Sequence, residues 1–268
     1  MILRVAWLRT VRGLALGVGA VSGALFTLGL VVVLAELKNR NLARAMQPIE
    51  EPRAVGTFGS EHQGEPLGLA MLGDSLAVGI GADAREHTVG ALLAESLARR
   101  SGRPVALSNT GRSGADSGDL AAQVREVLAA DQHADVAVII IGGNDVMHRN
   151  DATVAARQLY RAVRDLRRSG SRVVVATCPD MGTVRALVQP LRYIAHRASR
   201  TLALAQTLVV LRGGGSAVPL GATLGPIFVR RPKQMFSTDH FHPSSAGYAR
   251  AAAVLLPSVS AAALLGPV

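Results

Sequence analysis

The sequence predicts an α/β protein, with a central, mostly parallel β-sheet covered by helices on both faces. Two observations carry that expectation. Short aliphatic runs recur at residues 67–72 (LGLAML), 105–108, 136–141 (VAVIII) and 173–177, and the last two are too continuously apolar for strands with one wet face. Between the runs lie longer amphipathic segments, at about residues 87–100, 118–130 and 151–169. Strands that alternate with helices of this length make parallel βαβ units.

The elements follow in chain order. The stretch from Gly13 to Ala35 carries no charge and lies between Arg12 and Glu36. At about 1.5 Å per residue it can cross the roughly 30 Å hydrocarbon core of a bilayer, and it exceeds the ~7–15 residue apolar region of a secretory signal. Residues 1–36 therefore read as an N-terminal transmembrane anchor, with a cleaved signal as the alternative. The only nearby A-x-A, Ala43-Arg44-Ala45, sits well past the apolar end. Arg4, Arg9 and Arg12 before the span nearly balance Lys38, Arg40 and Arg44 after it, so the positive-inside rule does not orient it. The expectation of an extracytoplasmic domain rests on a single span preceding a large domain.

Residues 37–65, polar and containing Pro48 and Pro52, read as a juxtamembrane linker, and residues 66–268 as one domain. Past the fourth apolar run, residues 184–211 read as a helix interrupted at Pro190. Residues 212–236 (RGGGSAVPLGATLGPIFVRRPKQMF) read as a Gly/Pro-rich loop with one short strand, and residues 244–265 as the last helix.

Composition narrows the function classes. Of the 268 residues 49% are hydrophobic and 3% aromatic, so the core is built from Ala, Val and Leu. Lys and Arg outnumber Asp and Glu by 29 to 19, a net charge of +10. Such a surface suits solvent or anionic lipid. Nucleic acid is not expected as a partner, because the aromatic residues that stack on bases are scarce. A lone cysteine, Cys178, excludes an intrachain disulfide, and its place after a buried run reads as a small apolar residue.

In an open parallel sheet the loops at the carboxyl ends of the strands collect into one crevice. The polar stretches of this chain fall at those ends: GDSLAVGIGA, NTGRSGADS, GGNDV and CPDMG, with STDHFHPSSAGY before the last helix. Together they offer a serine, backbone N–H groups, an amide and an Asp-x-x-His pair, which are the parts acyl transfer needs. A serine hydroxyl needs an imidazole to take its proton. The imidazole needs a carboxylate on its other nitrogen, and the tetrahedral intermediate needs preorganised donors. Asp239 and His242 are three residues apart, so one turn can join them, and Pro243 can begin the helix that follows. His240 and His242 offer two imidazoles to a metal, but no third ligand cluster accompanies them, so no metal is expected.

These blocks resemble the SGNH hydrolase superfamily, the GDSL esterase/lipase family. Gly73-Asp74-Ser75-Leu76 matches the first block to the letter. Asn109, Gly111 and Gly114 match the second, Gly142-Gly143-Asn144-Asp145 the third, and Asp239 with His242-Pro243 the last. The blocks occur in the family's order and cover residues 67–263. The resemblance implies a flavodoxin-like three-layer α/β/α sandwich and a serine esterase without metal or organic cofactor. It implies Ser75 as nucleophile, His242 as general base and then acid, and Asp239 as the carboxylate orienting His242. The oxyanion hole would be the Ser75 and Gly114 backbone N–H groups and the Asn144 side-chain amide. Gly114 is chosen over Gly111 by alignment with the family's Ser-Gly pair. Asp74 and Asp145 read as turn-supporting carboxylates. The implied substrate is a small or lipid ester, most simply one with a short acyl chain. An O-acyltransferase or carbohydrate deacetylase would use the same residues, and a catalytically silent tethered binding module is the non-enzymatic alternative.

Overall fold

The computed structural model describes residues 51–264. The span from Gly13 to Ala35, and with it the anchor reading, lies outside the described residues. Among the described residues one sheet contains strands β1 (Gly56–Phe58), β2 (Leu67–Gly73), β3 (Val105–Asn109), β4 (Val136–Ile140), β5 (Arg172–Ala176) and β6 (Ser216–Val218), in the order β1-β3-β2-β4-β5-β6. The strands from β2 onward pair in parallel, and only β1 is antiparallel, along the outer edge of β3. The helices are α1 (Ser75–Val78), α2 (Val89–Ser101), α3 (Leu120–Ala129), α4 (Gly143–His148), α5 (Ala152–Arg168), α6 (Leu191–Arg212), α7 (Leu220–Arg230), α8 (Pro232–Met235) and α9 (Ser245–Leu264).

Alternation along the strands builds two cores. Val136, Val138 and Ile140 of β4 join Leu69 and Met71 in a cluster with Leu93 and Leu97 of α2 and Leu255 and Val259 of α9. Ala137 and Ile139, with Ile141 just beyond the strand, face the other way, against Leu120 and Val124 of α3 and Leu159 and Val163 of α5. Every residue of β4 is buried, as a parallel strand covered on both faces requires. From β2 the chain passes first to β3 on one side and later to β4 on the other. The carboxyl end of β2 is therefore the switch point of the sheet, where a crevice opens.

Three segments differ from the sequence expectation. The stretch read as linker contributes β1, whose pairing of Thr57 with Ala106 covers the exposed edge of β3. The predicted helix over residues 184–211 begins only at Leu191, immediately after Pro190. The loop expected over residues 212–236 holds the anticipated strand, β6, but also α7 and α8. Leu220, Leu224 and Phe228 are buried at a spacing of four along α7, so packing overrides its helix-breaking Gly and Pro content. Gly221 is small for a reason: a Cβ there would lie 2.7 Å from the Asp180 backbone nitrogen.

Candidate active site

The site begins with a backbone conformation. Gly73, the last residue of β2, has φ +132°, and a Cβ on it would lie 1.8 Å from the Ile140 carbonyl oxygen. Only glycine fits, because both the left-handed backbone and the close approach of β4 exclude a side chain. Asp74 follows in an extended conformation, and its carboxylate accepts the Leu76 N–H at 2.9 Å, capping α1. Ser75 is thereby the first residue of α1, 8% exposed, at the carboxyl end of β2.

His242 arrives from the opposite end of the chain. The loop between α8 and α9 is closed by Ser237 N–H donating to the His242 carbonyl (2.9 Å) and Ser244 N–H to that of Met235 (2.9 Å). Within it Asp239 Oδ1 accepts from the Phe241 and His242 N–H groups (2.8 and 2.9 Å) and from the Ser237 hydroxyl (2.7 Å). Asp239 Oδ2 lies 2.7 Å from His242 Nδ1, and His242 Nε2 lies 3.0 Å from Ser75 Oγ. Tyr248, buried on α9, donates its hydroxyl to the Ile80 carbonyl (2.7 Å) and ties this loop's helix to the segment after α1.

The electrostatics fix the proton positions. Burial alone would raise the Asp239 pKa. The His242 hydrogen bond, with the Phe241 N–H and the Ser237 hydroxyl, outweighs it and holds the carboxyl well below the usual range. An ionised carboxylate only accepts, so Nδ1 of His242 carries the proton and Nε2 accepts from Ser75 Oγ–H. Asp74 behaves oppositely. Complete burial pushes its pKa up to about 7, against the lowering effect of the Leu76 N–H. Burial, with the nearby Asp74, Asp145 and Asp180, likewise raises the Cys178 thiol, so this cysteine is inert at neutral pH.

The raised Asp74 value makes a stability prediction. Between the ordinary carboxylate pKa and about 7 the folded state holds a proton that the unfolded state has released, so this group lowers stability as pH rises through that window. Asp74→Asn keeps an acceptor and removes the ionisation. Its urea midpoint relative to wild type should rise between pH 5 and pH 8, by at most about 3 kcal/mol in free energy. A pH-independent difference would show that Asp74 does not titrate in this range.

The second and third blocks meet beside the serine. Asn109 donates Nδ2–H to the Ala77 carbonyl (2.8 Å) and accepts from the Gly111 N–H, so the end of β3 holds α1. Asn144, on the first turn of α4, donates to the Ala115 carbonyl (2.8 Å), next to Gly114. Gly114 has φ +81° and open space where a Cβ would stand. Asp145, buried, accepts from the Ser117 N–H and hydroxyl (3.1 and 2.8 Å) and so pins the loop after β3 to α4. A cavity opens over Ser75, lined by Asn144 and His242 but not by Gly114, with an apolar wall of Met181, Val184, Leu220, Leu224, Phe228 and Phe236. His240 is exposed, with φ +57°, and stands outside this cavity. Among the described residues no cluster of three or more His, Cys, Asp or Glu is placed to hold a metal.

Two residues were missed by sequence reasoning. Gln123, on the buried face of α3, accepts the Gly73 N–H (2.7 Å) and donates to the Gly73 carbonyl (2.9 Å). Gln206 of α6 likewise accepts from the Cys178 N–H (2.6 Å) and donates to the Ile141 carbonyl (3.1 Å). Where strands splay at the carboxyl edge, the ladder no longer satisfies the backbone, and a primary amide supplies a donor and an acceptor together. The available signal was a glutamine on an otherwise apolar helix face, between Leu120 and Val124 or beside Leu202 and Val210.

A parallel sheet whose carboxyl edge carries a hydrogen-bonded serine–histidine–aspartate chain defines an α/β protein equipped for nucleophilic attack by serine. Residues 71–250 match the GDSL-like Lipase/Acylhydrolase family. A GDSL-like esterase of Mycobacterium tuberculosis is 43% identical over 187 residues, which are 70% of this chain and 60% of that protein. The crystal structure of TesA superposes with a TM-score of 0.60 at 22% identity, covering 73% of this chain and 99% of that one. The lipase/acylhydrolase from Enterococcus faecalis gives 0.57 at 20% identity, covering 73% and 96%. The chain belongs to the GDSL-like lipase/acylhydrolase family, a family of carboxylic ester hydrolases.

Proposed function

We propose that the protein is a serine esterase that hydrolyses carboxylic esters with short acyl chains through an acyl-enzyme on Ser75. The observation that carries this reading is the continuous chain of hydrogen bonds from Asp239 through His242 to Ser75. His242 Nε2 takes the serine proton as Oγ attacks the ester carbonyl, then returns it to the departing alcohol. Water activated by the same nitrogen cleaves the acyl-enzyme and releases the carboxylate. The Ser75 N–H and the second N–H of Asn144 Nδ2, both at the cavity wall, stabilise the oxyanion, with the Gly114 N–H, outside that wall, as the third donor of the family pattern; the apolar wall around Leu224 and Phe228 receives the acyl group.

Labelling with a fluorophosphonate probe, followed by a series of p-nitrophenyl esters of increasing chain length, tests the proposal. We expect labelling at Ser75 and the highest kcat/KM on acetyl and butyryl esters. An unlabelled protein would sink the esterase reading, and a maximum at long chains would sink its short-chain part. Asn144→Ala should lower kcat by about 10²–10³ with little change in KM. An unchanged kcat would remove Asn144 from the oxyanion site. The apolar stretch from Gly13 to Ala35 supports placing this esterase at a membrane, with its domain outside the cytoplasm. Protease accessibility in intact cells tests that placement.

A further inference from the structure

Five of the ten exposed large hydrophobic residues among those described belong to one helix: Tyr193, Ile194, Leu204, Leu208 and Leu211 of α6. Leu204 and Leu208 are 69% and 71% exposed. At 100° per residue these positions fall on one face, opposite the buried stripe of Leu191, Ala195, Leu202, Gln206 and Val210. The basic residues Arg197, Arg200 and Arg212 share or border the exposed face, and none of them forms an ion pair with a described residue. No Asp or Glu occurs anywhere from Leu191 to Arg212. The neighbouring helix α5 shows what a solvated face looks like here: Arg157, Arg161, Asp165 and Arg168 outward, with only Val154 as a large exposed apolar residue.

We infer that the outer face of α6 is a docking surface for an anionic lipid bilayer. The leucines enter the interface between headgroups and acyl chains while the arginines meet lipid phosphates, the arrangement of an interfacial amphipathic helix. Charge complementarity selects this occupant, because a helix of 22 residues with four arginines and no carboxylate is matched by a negative surface. The chain outside the structure is compatible with it. Residues 36–50 reach about 50 Å when extended, about twice the roughly 25 Å width of a six-stranded sheet, so an N-terminal span does not prevent this helix from reaching the same bilayer. Near its first turn His196 Nδ1 lies 2.7 Å from Asp180 Oδ1, and Asp180 lines the cavity over Ser75. Docking through α6 therefore brings the cavity to the edge of the lipid surface. The inference does not depend on the esterase reading, since it concerns a face that contains none of the proposed catalytic residues.

The test uses the full chain with Leu208→Cys carrying an environment-sensitive NBD label. Cys178 is buried and does not compete for it. In vesicles of phosphatidylcholine and phosphatidylglycerol (7:3), NBD emission should be about threefold higher than in pure phosphatidylcholine vesicles and be quenched by doxyl-labelled lipid. A label at Arg100→Cys, on α2 across the sheet, should stay water-quenched in both. Replacing Arg197, Arg200 and Arg212 by Gln should return the signal of the label at position 208 to its level in neutral vesicles. A label at that position that stays accessible to aqueous iodide in anionic vesicles overturns the proposal. Shielding that is equal in neutral and anionic vesicles also overturns it, and assigns the face to the chain's own N-terminal segment or to a second copy.

Discussion

Ser75→Ala should lower kcat on p-nitrophenyl acetate by about 10⁴-fold or more while leaving the thermal midpoint within about 3 °C of wild type. The size of the loss follows from chemistry that no neighbour can replace. With Oγ gone, His242 has no hydroxyl to activate, and what remains is catalysis by the oxyanion donors and binding alone. The small stability effect follows from the contacts: among the described residues the hydroxyl's one hydrogen-bond partner is His242 Nε2 at 3.0 Å, and a typical hydrogen bond contributes about 1 kcal/mol. Residues acting as a unit are not additive, so the Ser75→Ala/His242→Ala double variant should be no slower than Ser75→Ala. Hydrolysis by Ser75→Ala within tenfold of wild type would mean that another group is the nucleophile.

Gly73→Ala should be the most damaging single methyl group near the site, costing at least about 3 kcal/mol. Two terms add: φ of +132° is strained for a residue with a Cβ, and that Cβ would meet the Ile140 carbonyl at 1.8 Å. Relief would require β2 and β4 to separate, which breaks the parallel register of Gly73 with Ile140. It would also disturb both hydrogen bonds between Gly73 and Gln123 and the Asp74 N–H bond to the Ile140 carbonyl. Thermal denaturation should show a loss on the order of 10 °C for a domain of this size. Gly102→Ala is the control, because Gly102 also has positive φ (+65°) but open space around its Cβ position. It should cost about 1 kcal/mol. Equal losses at the two positions would show that the strand contact at Gly73 is unimportant.

The four long parallel strands and five of the main helices, α2, α3, α5, α6 and α9, were legible in the sequence because each repeats one physical pattern. A strand buried on both faces must be continuously apolar, and a helix on a sheet must be apolar on one side. The short elements were not legible. Strand β1 is three residues long and has no pattern of its own; it exists because the edge of β3 needs partners. Helix α7 contains Pro226 and two glycines, and local propensity argued against it. Its helix forms because Leu220, Leu224 and Phe228 fill the space beside the cavity, and Gly221 lets it approach Asp180 closely.

By itself the sequence determined the fold class and the identity of Ser75, Asp239 and His242 as candidates, because acyl transfer needs a few residue types and those types sit at the ends of strands. Tertiary structure decided what sequence order cannot carry. Residues 167 positions apart lie 3.0 Å from each other. Gln123 and Gln206, unremarked on their helices, satisfy the splayed strand ends. The leucines of α6 face outward where a core would have buried them. In each case the deciding quantity is a distance or an exposure set by the packing of segments far apart in the chain, and local patterns contain neither.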